Sequence, residues 1–194
     1  MARPKEFDRH EAVERAKGVF WARGYEGAST PELLRAMGIG RQSMYDTFGG
    51  KRALYLEALR RYLDESVSRH EEVLRSASSP LAGVEATLVT LASGDAAERA
   101  LGCMGVGAIS EFGQGDADVA AMTAASGARL EAALIEAVRA ARAAGEVDAG
   151  VDERRAARFL HSTMLGMKVS AKAGVSAGEL RDLAAFAVDR LRAR

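Results

Sequence analysis

Residues Thr30 to Phe48 run Thr-Pro-Glu-Leu-Leu-Arg-Ala-Met-Gly-Ile-Gly-Arg-Gln-Ser-Met-Tyr-Asp-Thr-Phe. The pattern predicts a short helix, a tight glycine turn and a second short helix. Ser29 or Thr30 caps the first helix, Pro31 sits in its first turn, and Glu32 is placed to reach back as a capping-box partner. Gly38 is placed to take the left-handed conformation that ends this helix and turns the chain. The second helix carries Arg41, Gln42, Ser43, Tyr45 and Thr47 among only two large apolar residues, Met44 and Phe48. Such a helix docks along one edge and leaves a polar face free, which suits a DNA groove rather than a core.

Around this segment the chain is rich in helix formers, has three prolines and contains no stretch that alternates with period two. An all-α fold follows. A first helix is expected over residues 8–23, with Ala12, Ala16, Val19 and Phe20 on one face and Gly24 closing it. After Gly49-Gly50 a long helix is expected to about residue 76, with Leu54, Ala58, Tyr62 and Leu63 near one face. Ser78-Ser79-Pro80 stops it. Helical patterns follow at 81–92 and 96–112. A long one from Val119 to Ala141 ends at Gly145, and another, capped by Asp152, runs to about Ala173. The last opens with a capping box at Ser176 and Glu179, and its stripe is Leu180, Leu183, Ala184, Ala187, Val188 and Leu191. About nine helices result.

Formal net charge is zero, yet the ends differ. Residues 1–61 hold 12 Lys and Arg against 8 Asp and Glu, a net +4, and the remainder carries −4. A basic head on an acidic body suits a DNA-binding module joined to a sensing or pairing module. The single cysteine, Cys103, excludes an intrachain disulfide and fits a reducing compartment. The polar start carries no signal-peptide pattern, and no segment approaches a membrane span, so a soluble cytoplasmic protein is expected.

Gly24-Tyr25 after an Ala16-x-x-Val19-Phe20 helix, then Ser29-Thr30, Gly38-Ile39, Tyr45, Phe48, Lys51 and Leu54, closely resembles the TetR family of bacterial transcriptional regulators. The match in the head covers roughly residues 8–60. The resemblance implies a three-helix helix-turn-helix DNA-binding head over residues 1–50. It also implies a six-helix body over residues 51–194 that binds a small ligand and dimerises. In such a head the second short helix enters the major groove. Arg41 is then the candidate guanine contact and Gln42 the candidate adenine contact, while Thr30, Ser43, Tyr45, Thr47 and Lys51 match positions that hold the phosphate backbone. Two positions depart from the family pattern: Gly40 stands where Ser or Thr often caps, and Leu34 where a small residue often lies. The arm Arg3-Pro4-Lys5 suits an extended segment in the minor groove, or an unstructured terminus.

For the body, Cys103, Met104, Phe112, Met122, His161, Met164 and Met167 are candidate ligand-pocket residues, with ordinary core packing as the competing role of the methionines and His161. Cys103 invites a thiol-based sensor of electrophiles or oxidants, against the alternative of a small buried apolar residue. Phe159, Val169, Leu183, Phe186 and Leu191 on the last two helices are expected to form a homodimer interface, because apolar residues there fall on more than one face. No cofactor or metal is called for. His10, His70 and His161 are far apart in sequence, and no catalytic motif is present, which argues against a small helical enzyme. The expectation is a ligand-responsive repressor that binds a palindromic DNA operator as a homodimer and leaves it when a small-molecule effector binds.

Overall fold

A computed structural model describes residues 7–193, so the Arg3-Pro4-Lys5 arm lies outside the described residues. The elements are α1 (Arg9–Gly27), α2 (Thr30–Met37), α3 (Arg41–Phe48), α4 (Lys51–Ser76) and α5 (Pro80–Val89), followed by a 3-10 turn (Thr90–Ala92). Then come α6 (Ala96–Leu101), α7 (Met104–Phe112), α8 (Ala117–Ala143), α9 (Glu153–Lys172) and α10 (Ala177–Asp189). Among the described residues the only extended pairing is an isolated antiparallel bridge between Val147 and Arg192.

The all-α layout agrees with the sequence, with one of its segments divided. The stretch expected as a single helix over 96–112 breaks at Gly102 (φ +68°), and Cys103, in extended conformation, precedes the first residue of α7. Glycines at 102, 105 and 107 weaken helical propensity there. A Cβ on Gly105 would stand 2.9 Å from a methyl carbon of Leu63 on α4, so α7 packs at glycine range against that helix.

The caps follow their sequences. Asp8, Ser29, Ser79, Asp95, Asp116, Asp152 and Ser176 each accept an amide N–H from the first turn that they precede. Ser29, not Thr30, caps α2, and the Glu32 carboxylate lies 3.5 Å from Arg23 Nε. The Ser176–Glu179 capping box forms on both sides.

Buried side chains fall into two clusters. One joins Val67 of α4 to α5, α8, α9 and α10 around Leu88, Leu134, Leu160, Met164 and Leu180. The other joins α1, α2 and α3 to the first half of α4, and it also takes in Met104 and Ala108 of α7 and Val119 of α8. The stripe Leu54, Ala58, Tyr62 and Leu63 is buried, with Tyr55 and Leu59 beside it. A spine of aromatic rings runs through this second cluster, with Tyr25, Tyr55 and Phe112 mutually 5.1–5.5 Å apart.

Candidate nucleic-acid interface and effector cavities

The eight residues of α3 divide cleanly by burial. Met44 is fully buried and Phe48 nearly so, and these two fix the helix to the head. Arg41, Gln42, Tyr45 and Asp46 are exposed, while Ser43 and Thr47 are half-buried on its flanks. Gly40 supplies no side-chain cap, so the first turn of α3 presents its amide N–H groups uncovered by a cap side chain. An N-terminus of this kind favours an anionic phosphate. The Gln42 side-chain amide donates to Asp46 Oδ1 at 2.8 Å, which holds Gln42 along the exposed face. Asp46 is a feature that the sequence reading did not single out: an acid between two expected readers and the helix end.

Thr30 occupies the first position of α2 and is half-buried. Lys51 begins α4, with its ammonium 4.4 Å from the centroid of the Tyr25 ring. The Arg9 guanidinium covers the Phe48 ring at 5.1 Å and pairs with Glu57 at 2.6 Å, tying α1, α3 and α4 together.

Three links join α1 and α4 to the segment from α6 to α8. Gly24 (φ +72°, ψ −178°) interrupts α1, and the residues after it start a new turn whose amides have no helical acceptor behind them. Glu111 of α7 supplies one: its two carboxylate oxygens accept the N–H groups of Tyr25 (2.8 Å) and Glu26 (2.7 Å). The indole N–H of Trp21 donates to the Gly102 carbonyl. Arg52 at the start of α4 binds Asp116 and Asp118 at 2.8 and 2.9 Å, at the start of α8.

Two cavities meet near Cys103 and Lys168. One, of about 420 Å³, lies between α4, the 3-10 turn, α6 and α9, with Trp21 of the head in its wall. The other, of about 590 Å³, lies between α1, α7 and α9. A smaller recess of about 90 Å³ sits among α4, α7, α8 and α9. Cys103 and Lys168 border all three.

The expected pocket residues scatter across this arrangement. Cys103 is in the shared wall, Met104 borders the 590 Å³ cavity, and His161 faces the small recess. Met164 and Met167 line none of these three: they are buried in the body core with Leu160. Phe112 packs into the aromatic spine, and Met122 borders a separate crevice of about 270 Å³ with Arg60 and Arg129. Long flexible methionines fit a core as well as a pocket, so residue type alone does not separate the two.

The sequence reading missed Trp21, Tyr62, Arg69, His70 and Lys168, all in the wall of the 420 Å³ cavity. One signal was available. His70 continues the apolar stripe of Leu63 and Val67, where a hydrophobic residue was expected. Burial, with Lys168, Arg69 and His161 nearby, lowers the His70 pKa to about 4. Burial, together with Lys168, also lowers that of His161. Burial, reinforced by Cys103, pushes the Tyr62 phenol up.

Phe159 and Val169 of α9 and Leu183 and Phe186 of α10 are exposed, Phe186 the most at 61%, and Val169 also borders the 590 Å³ cavity. Leu191 does not join them: it is buried in the core of its own subunit, where the chain turns back toward Val147. Leu183 leaves the buried stripe of α10 and stands one turn from Phe186, on the exposed side.

Residues 12–58 match the model of the bacterial regulatory proteins, tetR family, and residues 85–187 match the tetracyclin repressor-like C-terminal domain. The chain is 30% identical over 186 residues to the HTH-type transcriptional repressor ComR of Escherichia coli (strain K12), covering 94% of this chain and 88% of that one. It is 33% identical over 187 residues to the uncharacterized HTH-type transcriptional regulator YezE of Bacillus subtilis (strain 168), covering 94% and 95%. It superposes with a TM-score of 0.83 on a cysteine mutant of the TetR family regulator CifR complexed with 26-bp double-strand operator DNA. Identity there is 32%, over 98% of this chain and 100% of that one. Two family models covering head and body, on a helical fold shared along nearly its whole length, place this chain in the TetR family of bacterial transcriptional regulators.

Proposed function

We propose that the protein is a homodimeric repressor of the cytoplasm that binds a palindromic operator through α3 and releases it when a small molecule occupies the body. The observation that carries this is the division of α3: two buried anchors, Met44 and Phe48, set four exposed side chains at Arg41, Gln42, Tyr45 and Asp46. A major groove accepts one such helix, with side chains near its N-terminus reaching base edges. Arg41 is the candidate for guanine and Gln42 for adenine. Gln42 must first exchange its bond to Asp46. Thr30, Ser43, Tyr45, Thr47 and Lys51 are the candidate phosphate anchors. Repression is supported by likeness to ComR, and operator DNA by likeness to CifR.

Pairing through α9 and α10 would set two heads at a fixed spacing, and half-sites about one or two helical turns apart would mirror it. Release is a coupling between sites: the effector must prefer the arrangement in which the heads no longer fit their grooves. The links from Trp21, Glu111 and Arg52 are the routes by which a movement of α6 to α8 reaches α1 and α4.

Footprinting on the DNA upstream of the protein's own gene tests the proposal. Protection of a palindrome is the expected result, and equal affinity for that DNA and for random duplex would sink it.

A second reading has its own observation. Cys103 lies half-buried in the wall common to three cavities, which gives a small electrophile or oxidant a path to the thiol. Treatment with N-ethylmaleimide, followed by mass spectrometry and operator binding, separates the two. Loss of operator affinity in step with Cys103 modification supports a thiol sensor. An unmodified Cys103 ends that reading.

A further inference from the structure

The 420 Å³ cavity has a chemistry that narrows its occupant. Its wall carries Arg69, Arg99 and Lys168 as cations, with Glu72 and Glu98 as acids. Both acids are engaged elsewhere: Glu72 pairs with Arg75 at 3.0 Å, and Glu98 closes the capping box on the Asp95 amide at 3.0 Å. Arg99 donates to the Gly94 carbonyl at 2.6 Å. Among the described residues, no carboxylate stands within salt-bridge distance of Arg69 or Lys168. Lys168 is half-buried, and Arg69 is exposed at the edge.

His70 adds an independent observation. Its side chain is only 7% exposed, it borders both this cavity and the small recess, and among the described residues its ring makes no hydrogen bond. Its ring nitrogens are not wholly closed off, so its N–H is open to an acceptor atom of a ligand in the cavity. The rest of the wall is mostly apolar, with the indole of Trp21, whose N–H is already taken by Gly102, and Tyr62, Val73 and Leu91, beside the hydroxyls of Ser66, Thr90 and Ser93.

We propose that the effector is a small organic acid, a single carboxylate on an apolar ring-bearing body. Its carboxylate sits between Lys168 and His70, and its ring lies along Trp21 and Tyr62. A cation is repelled by Lys168 and Arg69. A neutral ligand leaves Lys168 without a counter-charge, and charge-assisted hydrogen bonds are the stronger ones. The volume suits a molecule of one or two rings, since ligand sites begin at about 300 Å³. Because Trp21 belongs to α1, the acid would press on the helix that carries the head. This assignment rests on the protein being a ligand-released regulator.

Trp21 is the only tryptophan of the chain and borders both this cavity and the 590 Å³ one, so a fluorescence response belongs to this cavity when His70→Gln weakens it, because His70 does not line the other. Titration of the full-length protein with 3-phenylpropionate and with the matching 3-phenylpropionamide provides the test. The acid is expected to give a saturable change at about tenfold lower concentration than the amide, the size of one charge-assisted hydrogen bond. Lys168→Gln removes about that tenfold preference, and Lys168→Arg restores most of it. Equal affinity for acid and amide, or no saturable response to the acid, overturns the assignment. Operator binding is measured on the same sample: its absence defeats the regulator reading, whereas its presence without acid selectivity defeats the effector assignment alone.

Discussion

The indole Nε1–H of Trp21 donates to the carbonyl oxygen of Gly102 across 3.2 Å, joining two residues 81 positions apart in the chain. The acceptor is the residue at which α6 ends and the chain turns into α7, so the head is fastened to the body at a break in the helical run. Trp21→Phe keeps a ring against Tyr62 and removes the donor. The loss is about 1 kcal/mol, which lowers Tm by roughly 2–4 °C in a chain of this size. Differential scanning calorimetry reads it, and an unchanged Tm would show that the bond contributes nothing to stability.

Arg41→Ala should weaken binding to the cognate operator by about 1–3 kcal/mol and relax discrimination at the base pair that it reads. Lys51→Ala should weaken cognate and random duplex alike and lower the salt dependence of binding by about one counterion. Fluorescence anisotropy across a salt series, on both DNAs, distinguishes a reader from an anchor.

Phe186→Arg places a second cation at the most exposed apolar position of α10, where the guanidinium of Arg190 already lies 4.7 Å over the ring. If α9 and α10 pair two copies, a charge buried without a partner destabilises the dimer by several kcal/mol. Analytical ultracentrifugation should then find monomers, and operator affinity should fall with them. A dimer of unchanged affinity moves the interface elsewhere.

His70 makes the body sensitive to acid. It faces Arg69 from its own helix and Lys168 and His161 from α9, with Tyr62 two turns earlier and Cys103 across the cavity. Its pKa is about 4 in the folded protein and about 6.5 when unfolded, so the unfolded chain takes up the proton first. The stability held above pH 6.5 therefore falls as pH drops toward 4, by about 3 kcal/mol over the window, and levels off below it. Urea unfolding of the wild type and of His70→Gln at several pH values isolates the effect, because carboxylates that titrate in both cancel. Parallel curves would exclude His70 as the cause.

The head was legible in the sequence because its signals are local: Ser29, Pro31, Gly38 and Gly49 mark helix ends within a few residues, and Met44 and Phe48 fall on one edge of an eight-residue helix. Helix ends in the body were legible for the same reason. The cavity was not. Trp21, His70 and Lys168 come from three helices separated by up to a hundred and fifty residues, and only packing brings them to one wall. Leu191 shows the converse. Its spacing placed it on an apolar face, but the turn of the chain against Val147 covers that face from within the subunit.

The second buried cluster does not stop where the helix-turn-helix does. Met104, Ala108 and Val119 pack with Phe20, Tyr55 and Leu59 in one continuous apolar mass. A chimaera cut after Gly50 would strip the transplanted head of half its supporting wall and leave the recipient with an exposed apolar scar. The unit that can be exchanged between such regulators is larger than the part that touches DNA: it carries α4 and its seat on α7 with it. Diversity in what such a protein reads would then be more cheaply reached by changing the candidate readers Arg41 and Gln42 in place than by trading whole heads.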